Sequence, residues 1–418
     1  MKKYDLFEAI QLLKNRIESQ EFFLSARSKD TAFSRNRKMP FLDVVCFMLA
    51  TKRHCIQREL NTYLHQIGKD TVTRQAFRKS RENIRPDVFR ELTQEIVKDF
   101  EQKDESKATY KGYRLIAIDG SVLSLPNTDV LRERFGVAAG TDPNGAAKAK
   151  AILAVDVLNH VVVWNQLYKY TESEITLIHK IIEDIHSSNH YKDSILLLDR
   201  GYPSFQLFRE MQELDRGYVV RVSSSFIPEI NKTFDDDKII TITRKGTSCE
   251  VRVVNFILPS GEREQLVTNV FELSYDEIVH LYTLRWGVES VYNTTKHTLI
   301  LESFTGESIT AILQDFYIAV MMLNFAAFAF REQQDILDQH GKGLKHRYKP
   351  NKREIISKIK TNFVKLLMAK SRRCRAFRQF VLYKEIQAFA YAHRENRSFS
   401  RGSHTRNSLR KPVKKTAL

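Results

Sequence analysis

Leu115-Ile116-Ala117-Ile118-Asp119-Gly120-Ser121 and Ile195-Leu196-Leu197-Leu198-Asp199-Arg200-Gly201 are two apolar runs that each lead into an aspartate. Short apolar runs closed by turn-forming residues read as buried strands. A carboxylate at the end of such a strand is costly to desolvate unless a cation meets it. Two strands of one sheet would bring Asp119 and Asp199 to the same edge. Their oxygens are hard ligands suited to Mg²⁺ or Mn²⁺, whereas zinc would draw on His or Cys, absent from both runs. Taken singly, each aspartate could equally cap a strand or turn before Gly or Arg.

Working outward, residues 149–157 and 161–168 read as strands joined at Asn159-His160, a hairpin pattern. Residues 172–185 have helical period, Pro203 opens a helix over 203–214, and 218–222 is a further strand. Turn signals at Asp235-Asp236-Asp237, Lys245-Gly246 and Pro259-Ser260-Gly261 mark a β-rich insertion over 223–271. Helices follow at about 275–299 and 308–330. The run 318–330 is apolar on all sides but holds Asn324, so it reads as a buried core helix. Ahead of the strands, residues 1–105 are helical, with Leu6, Ile10, Leu13 and Leu42, Val45, Leu49 at helical spacing. The fold class is therefore α/β. Its expected divisions are a helical domain (1–105), a core in two parts (106–222 and 272–332) around the insertion (223–271), and a basic, mostly helical C-terminal region with a disordered tail (333–418).

The third chemical element is Tyr282-x2-Arg285-x3-Glu289-x6-Lys296. On an ideal helix these four fall within an arc of roughly 60°. Leu281, Leu284, Val288, Val291 and Leu299 supply an adjoining apolar face to pack on the sheet. Arg285 and Glu289 would also form an ordinary exposed i, i+4 pair, but a four-residue pattern of set types arises by chance on the order of a few times per thousand chains.

These three blocks, with Asp199-Arg200-Gly201-Tyr202 running on to Phe205, resemble the insertion-sequence DDE transposases of the insertion-sequence-four type over about residues 115–330. The resemblance implies a ribonuclease-H-like (retroviral-integrase-like) core, with Asp119 on the first strand, Asp199 after the fourth, and Glu289 on a helix beyond the insertion. It further implies that Asp119, Asp199 and Glu289 are catalytic and bind Mg²⁺, with Mn²⁺ as a substitute. Tyr282, Arg285, Lys296 and Arg200 become expected DNA contacts. The implied reaction is cut-and-paste transposition: hydrolysis at the element ends, then attack of the freed 3′-hydroxyl on target DNA. Expected partners are double-stranded DNA, as terminal inverted repeats and target, and a second copy of the chain on paired ends. Relatives that form hairpins stack a flipped base on a tryptophan in the insertion. Here the tryptophans are Trp164 and Trp286, leaving Phe226, Phe256 and Phe271 as stacking alternatives. A nuclease of similar core without strand transfer, or a catalytically silent DNA-binding descendant, are the competing readings; the intact acidic set argues against the latter.

Charge agrees with a polyanionic partner. The chain has 67 Lys and Arg and 50 Asp and Glu, a net +17. Residues 341–418 hold 23 basic and 3 acidic residues, so this region carries +20 and the remainder −3. Residues 34–90 add a local excess, 13 basic against 5 acidic, and Thr73, Arg74, Gln75, Arg78, Lys79, Arg81 and Arg85 put basic and polar side chains near helix starts, where they can face a groove. The helical domain over 1–105 thus reads as DNA-binding, with an ordinary surface-charged helix pair as the alternative. Cys46, Cys55, Cys249 and Cys374 show no metal or disulfide spacing and read as reduced. His179, His186 and His190 fit a charged helix surface better than a metal site. With no unbroken apolar run of about 18 residues and no apolar segment after Met1-Lys2-Lys3, neither a membrane span nor a secretory leader is expected. A cytoplasmic, nucleoid-associated chain is the expectation.

Overall fold

The first apolar run becomes β1 (Arg114–Ser124), which lies between β2 (Lys148–Asp156) on one side and β4 (Ser194–Leu198) on the other. A computed structural model describes residues 2–35, 37–138, 145–187, 191–223, 225–258, 261–342, 346–369 and 371–392. The C-terminal tail expected to be disordered lies outside these residues beyond 392. With β3 (Val161–Lys169), β5 (Gly217–Val222), β6 (Asp237–Arg244), β7 (Thr247–Ile257) and β8 (Arg263–Thr268), the sheet has eight strands in the order β3-β2-β1-β4-β5-β8-β7-β6. The β1–β4 and β4–β5 pairings are parallel and the other five antiparallel.

One feature of this sheet departs from the sequence reading. The Asp-Gly-Ser turn signal does not end β1: Asp119, Gly120 and Ser121 stay extended, paired with Leu153, Ile152 and Ala151. Strand β2 outlasts β4 alongside β1, and its ladder supplies the hydrogen bonds that a turn would otherwise have to provide. The strands of the insertion extend the core sheet, since Val219–Thr268 and Val220–Val267 pairing carries it from β5 into β8. An edge left at β5 would expose unpaired backbone, and the inserted strands cover it.

Helices α1 (Leu6–Ile17), α2 (Gln20–Ala26), α3 (Phe41–Ala50), α4 (Ile56–Gln66), α5 (Arg74–Arg81) and α6 (Asp87–Lys103) precede the sheet. Between strands lie α7 (Asp129–Phe135), α8 (Glu174–Ser187), α9 (Phe205–Glu213) and α10 (Pro228–Asn231). After β8 come α11 (Tyr275–Leu284), α12 (Gly287–Asn293), a π-helical turn (Thr294–Thr298) and the long α13 (Ile309–His340). The C-terminal region contributes α14 (Lys352–Leu367), α15 (Arg372–Gln387) and a two-stranded ribbon of β9 (Tyr348–Lys349) and β10 (Tyr391–Ala392). Buried side chains from Tyr4 to Ile386 form one connected core, so the terminal helices and the sheet share an interior.

Helix α13 is long and apolar enough to cross a membrane, but 94% of its most apolar window is buried inside the protein. Asn324, the polar residue that marked it as a core helix, is fully buried. Its side-chain oxygen accepts from Val162 N (2.7 Å) and its amide donates to Val162 O (2.9 Å). Asn324 thus takes the place of a missing neighbour along edge strand β3. Arg81 of α5, expected to face a groove, is instead buried against α13, donating to Gln314 (2.8 Å) and Asp315 (2.9 Å).

Replacing Asn324 by Ala leaves two buried backbone groups unpaired and should cost about 2–3 kcal/mol in a urea unfolding experiment; a neutral result would show that the α13–β3 bond is dispensable. Stability should also depend on Glu332 of α13, which accepts from the Tyr383 hydroxyl and whose carboxyl burial pushes up to about 7 from an ordinary 4.5. The folded protein keeps this proton where the unfolded chain has released it, so stability falls as pH rises from about 4.5 to 7. Glu332→Gln should remove that fall, read as a higher melting temperature at pH 8 with little change at pH 4.5.

Candidate active site

Parallel pairing of Ile118 with Leu198 brings the next residues, Asp119 and Asp199, side by side where β4 ends. Adjacent strands lie only about 4.8 Å apart, so two carboxylates in this register repel each other. Asp119 is half-buried, and burial pushes its carboxyl up to about 6; Asp199 and Glu174 add to the rise, while the Gly120 amide and Arg285 oppose it. Each aspartate also accepts its following amide at 2.8 Å, from Gly120 and Arg200 respectively.

The third element arrives on a helix interrupted twice, not on the single helix expected over 275–299. Between α11 and α12 the chain tightens to i→i−3 bonds, Arg285 N to Tyr282 O and Val288 N to Arg285 O (both 3.1 Å). Gly287 favours such a break. Beyond α12 it loosens, with Leu299 N bonded to Thr294 O at 3.1 Å. Thr294 and Thr295 hydroxyls donate to the carbonyls of Ser290 (2.9 Å) and Val291 (2.7 Å), competing with the regular ladder. Of the polar stripe, Tyr282 and Arg285 meet Asp199, while Glu289 is reached through Arg285 and Lys296 through β1. Leu281, Val288, Val291 and Leu299 are buried as the pattern requires, and Leu284 is half-buried.

From this helix Tyr282 donates to Asp199 at 3.4 Å. The buried guanidinium of Arg285 lies 3.8 Å from Asp199 and 3.4 Å from Glu289, with its central carbon 5.5 Å from the centre of the Tyr282 ring. It is the cation that joins the second and third acidic residues. Arg221 of β5, which no motif marked, stands 3.8 Å from Asp199 and is held by Glu264. Glu289 is exposed, whereas Lys296 reaches back to donate to Val122 O of β1 at 2.8 Å. Buried Tyr292 pins α12 to the sheet, its hydroxyl 2.7 Å from Asp119 O and 2.9 Å from Ala151 O. Arg200 is exposed and borders a cleft with Arg221, Asn231, Phe234 and Arg263.

A fourth acid, Glu174, enters from the start of α8. Its oxygens would lie 2.7 Å from a Cβ at Gly120 and 2.5 Å from one at Gly201, so with Glu174 in this position glycine leaves room for its carboxylate at both places. Lys150 stands 3.6 Å away. The Tyr202 hydroxyl is buried and finds no partner among the described residues. An all-oxygen donor set with an orphaned hydroxyl beside it suits a hard, hydrated divalent cation. Among the described residues no three His, Cys, Asp or Glu side chains stand close enough to hold an ion directly. Glu289 would have to leave Arg285 to complete a site with Asp119 and Asp199.

Other marked residues divide clearly. His179 pairs with Glu210 and His186 accepts from Arg216 (3.1 Å), while His190 lies outside the described residues. The four cysteines are free. Phe256 is buried against Tyr282, Phe226 packs on Phe208, and Phe271 is exposed; Trp286 and Phe234 are also exposed. Arg74, Gln75 and Arg78 line a cavity with Arg53, His54 and Gln57.

No curated protein matches the chain. Among solved structures it is similar to one described as a piggyBac transposase synaptic complex with hairpin DNA, with a TM-score of 0.51 and 12% identity, over 95% of this chain and 87% of that one. At that identity the likeness is one of fold. Residues 110–325 match the family described as the transposase DDE domain, a span that runs from just before β1 into α13 and contains both aspartates and Glu289. The chain belongs to the transposase DDE domain family.

Proposed function

We propose that this protein is a cut-and-paste DNA transposase of the insertion-sequence-four type, with a ribonuclease-H-like core and with Asp119, Asp199 and Glu289 as its catalytic carboxylates. The observation that carries the reading is the β1–β4 register that sets Asp119 beside Asp199, with Arg285 linking Asp199 to Glu289. Mg²⁺, or Mn²⁺ in its place, would be held by these three acids and would activate the attacking oxygen and stabilise the leaving one. The protein's own groups do the rest. Tyr282 and Arg221 orient Asp199, Tyr292 fixes the height of α12 on the sheet, and Arg285 neutralises the acids before metal arrives. Once those acids are neutralised otherwise, Arg285 would be free to contact a phosphate, alongside Lys296 and the exposed Arg200.

The DNA partner would be double-stranded, first as terminal inverted repeats and then as target. The basic cavity beside α5 and the +20 of residues 341–418 support backbone contact away from the chemistry. A second copy of the chain on paired ends is supported by α15 and the residues after it, which leave Phe377, Phe380 and Phe389 exposed. For a stacking residue in the insertion, exposed Phe271 and Phe234 are better placed than buried Phe256.

Asp119→Ala, Asp199→Ala or Glu289→Ala should each lower cleavage of matched terminal-repeat DNA by at least about 10³-fold in Mg²⁺, with salt-sensitive DNA binding retained. Full activity in any one variant removes that residue from the site. The parent protein should yield joined products; cut ends alone would favour a nuclease without strand transfer. Lys296→Ala should weaken binding to the terminus and lower the salt slope by roughly one. An unchanged slope would place Lys296 off the phosphate path.

A further inference from the structure

Glu174 and Tyr202 are left without a task by the three-acid mechanism, yet both crowd the two aspartate-bearing segments. The Glu174 carboxylate lies against Gly120 and Gly201, each one or two residues beyond an aspartate, in the space that a side chain at either position would share with it. Tyr202 is only 1% exposed, and its hydroxyl comes within 3.7 Å of the space over Gly120 that faces Glu174. Its electrostatic surroundings are Glu174, Asp119, Asp199 and Arg285. A buried hydroxyl among three carboxylates, bonded to none of the described residues, is an unfilled donor and acceptor.

We propose that Glu174 and Tyr202 belong to the divalent-cation site, where they hold the water shell of a cation ligated by Asp119 and Asp199. This rests on the metal-site reading given above. Glu174 meets β1 over Gly120, whose amide the Asp119 carboxylate accepts, so it stands beside that carboxylate, within electrostatic reach and not in contact. Water-mediated contact is therefore the geometry that fits. Mg²⁺ commonly takes only one or two carboxylates and keeps several waters, which agrees with the absence of a three-acid group at ligating distance among the described residues. Lys150, 3.6 Å from Glu174, offsets one charge and leaves the others to the cation. Both residues are positioning residues: they touch the cation's waters and not the reacting phosphate.

The experiment uses the full-length, EDTA-treated protein without DNA, titrated with Mn²⁺ by isothermal calorimetry, with melting temperatures measured in EDTA. Glu174→Gln and Tyr202→Phe should each raise the Mn²⁺ dissociation constant by about 10–100-fold. The EDTA melting temperature of Tyr202→Phe should match the parent, and that of Glu174→Gln should match or exceed it. A purely structural role would instead lower the melting temperature and leave Mn²⁺ affinity unchanged. Asp119→Asn separates the two levels of the argument. If it loses Mn²⁺ while both other variants bind like the parent, the role of Glu174 and Tyr202 is overturned and the metal site stands. If Asp119→Asn binds Mn²⁺ like the parent, the metal-site reading itself fails. Should Glu174→Gln not fold, Tyr202→Phe decides alone, because it removes one oxygen from a site that already accommodates the ring.

Discussion

Mutual repulsion between Asp119 and Asp199 is the constraint around which the rest of this molecule is arranged. The parallel register of β1 and β4 leaves them no freedom to separate, and partial burial denies Asp119 full solvation. Such a pair persists only if positive charge is supplied. Arg285 supplies part of it from α11's end and Arg221 part from β5. The site is thus built at a cost in stability, which a hard divalent cation would relieve.

Arg285 and Tyr292 lie seven residues apart, so helical geometry turns both toward the sheet, Arg285 to Asp199 and Tyr292 to the backbone of β1 and β2. The tightened turn at Arg285 and the π-helical turn after α12 fall in this segment, beside the candidate acids, whereas α13 is a continuous α-helix.

Long-range contacts explain why residues outside the family-matched span are fixed to it. Arg81 of α5 is buried on Asp315 of α13, and α13 in turn closes edge strand β3 through Asn324. A basic helix at the N-terminal side is thereby tied to the sheet that carries the acids. Exposed residues of the same helix, Arg74 and Gln75, remain turned to a cavity.

Sequence alone marked the candidate acidic and basic positions as types and spacings. Apolar runs before Asp119 and Asp199 are legible because burial demands them, and the core reading of α13 followed from one amide in an apolar helix. What pairs with what was not legible: the persistence of β1 past Asp119, the continuation of the sheet through β8, and the burial of Arg81 all depend on neighbours distant in the chain. Glu174 and Arg221 escaped notice for the same reason, since neither lies in a motif and each gains its meaning only from the carboxylates beside it. Tertiary structure decided these because hydrogen-bond partners and local charge are properties of place, whereas periodicity and composition are properties of order along the chain.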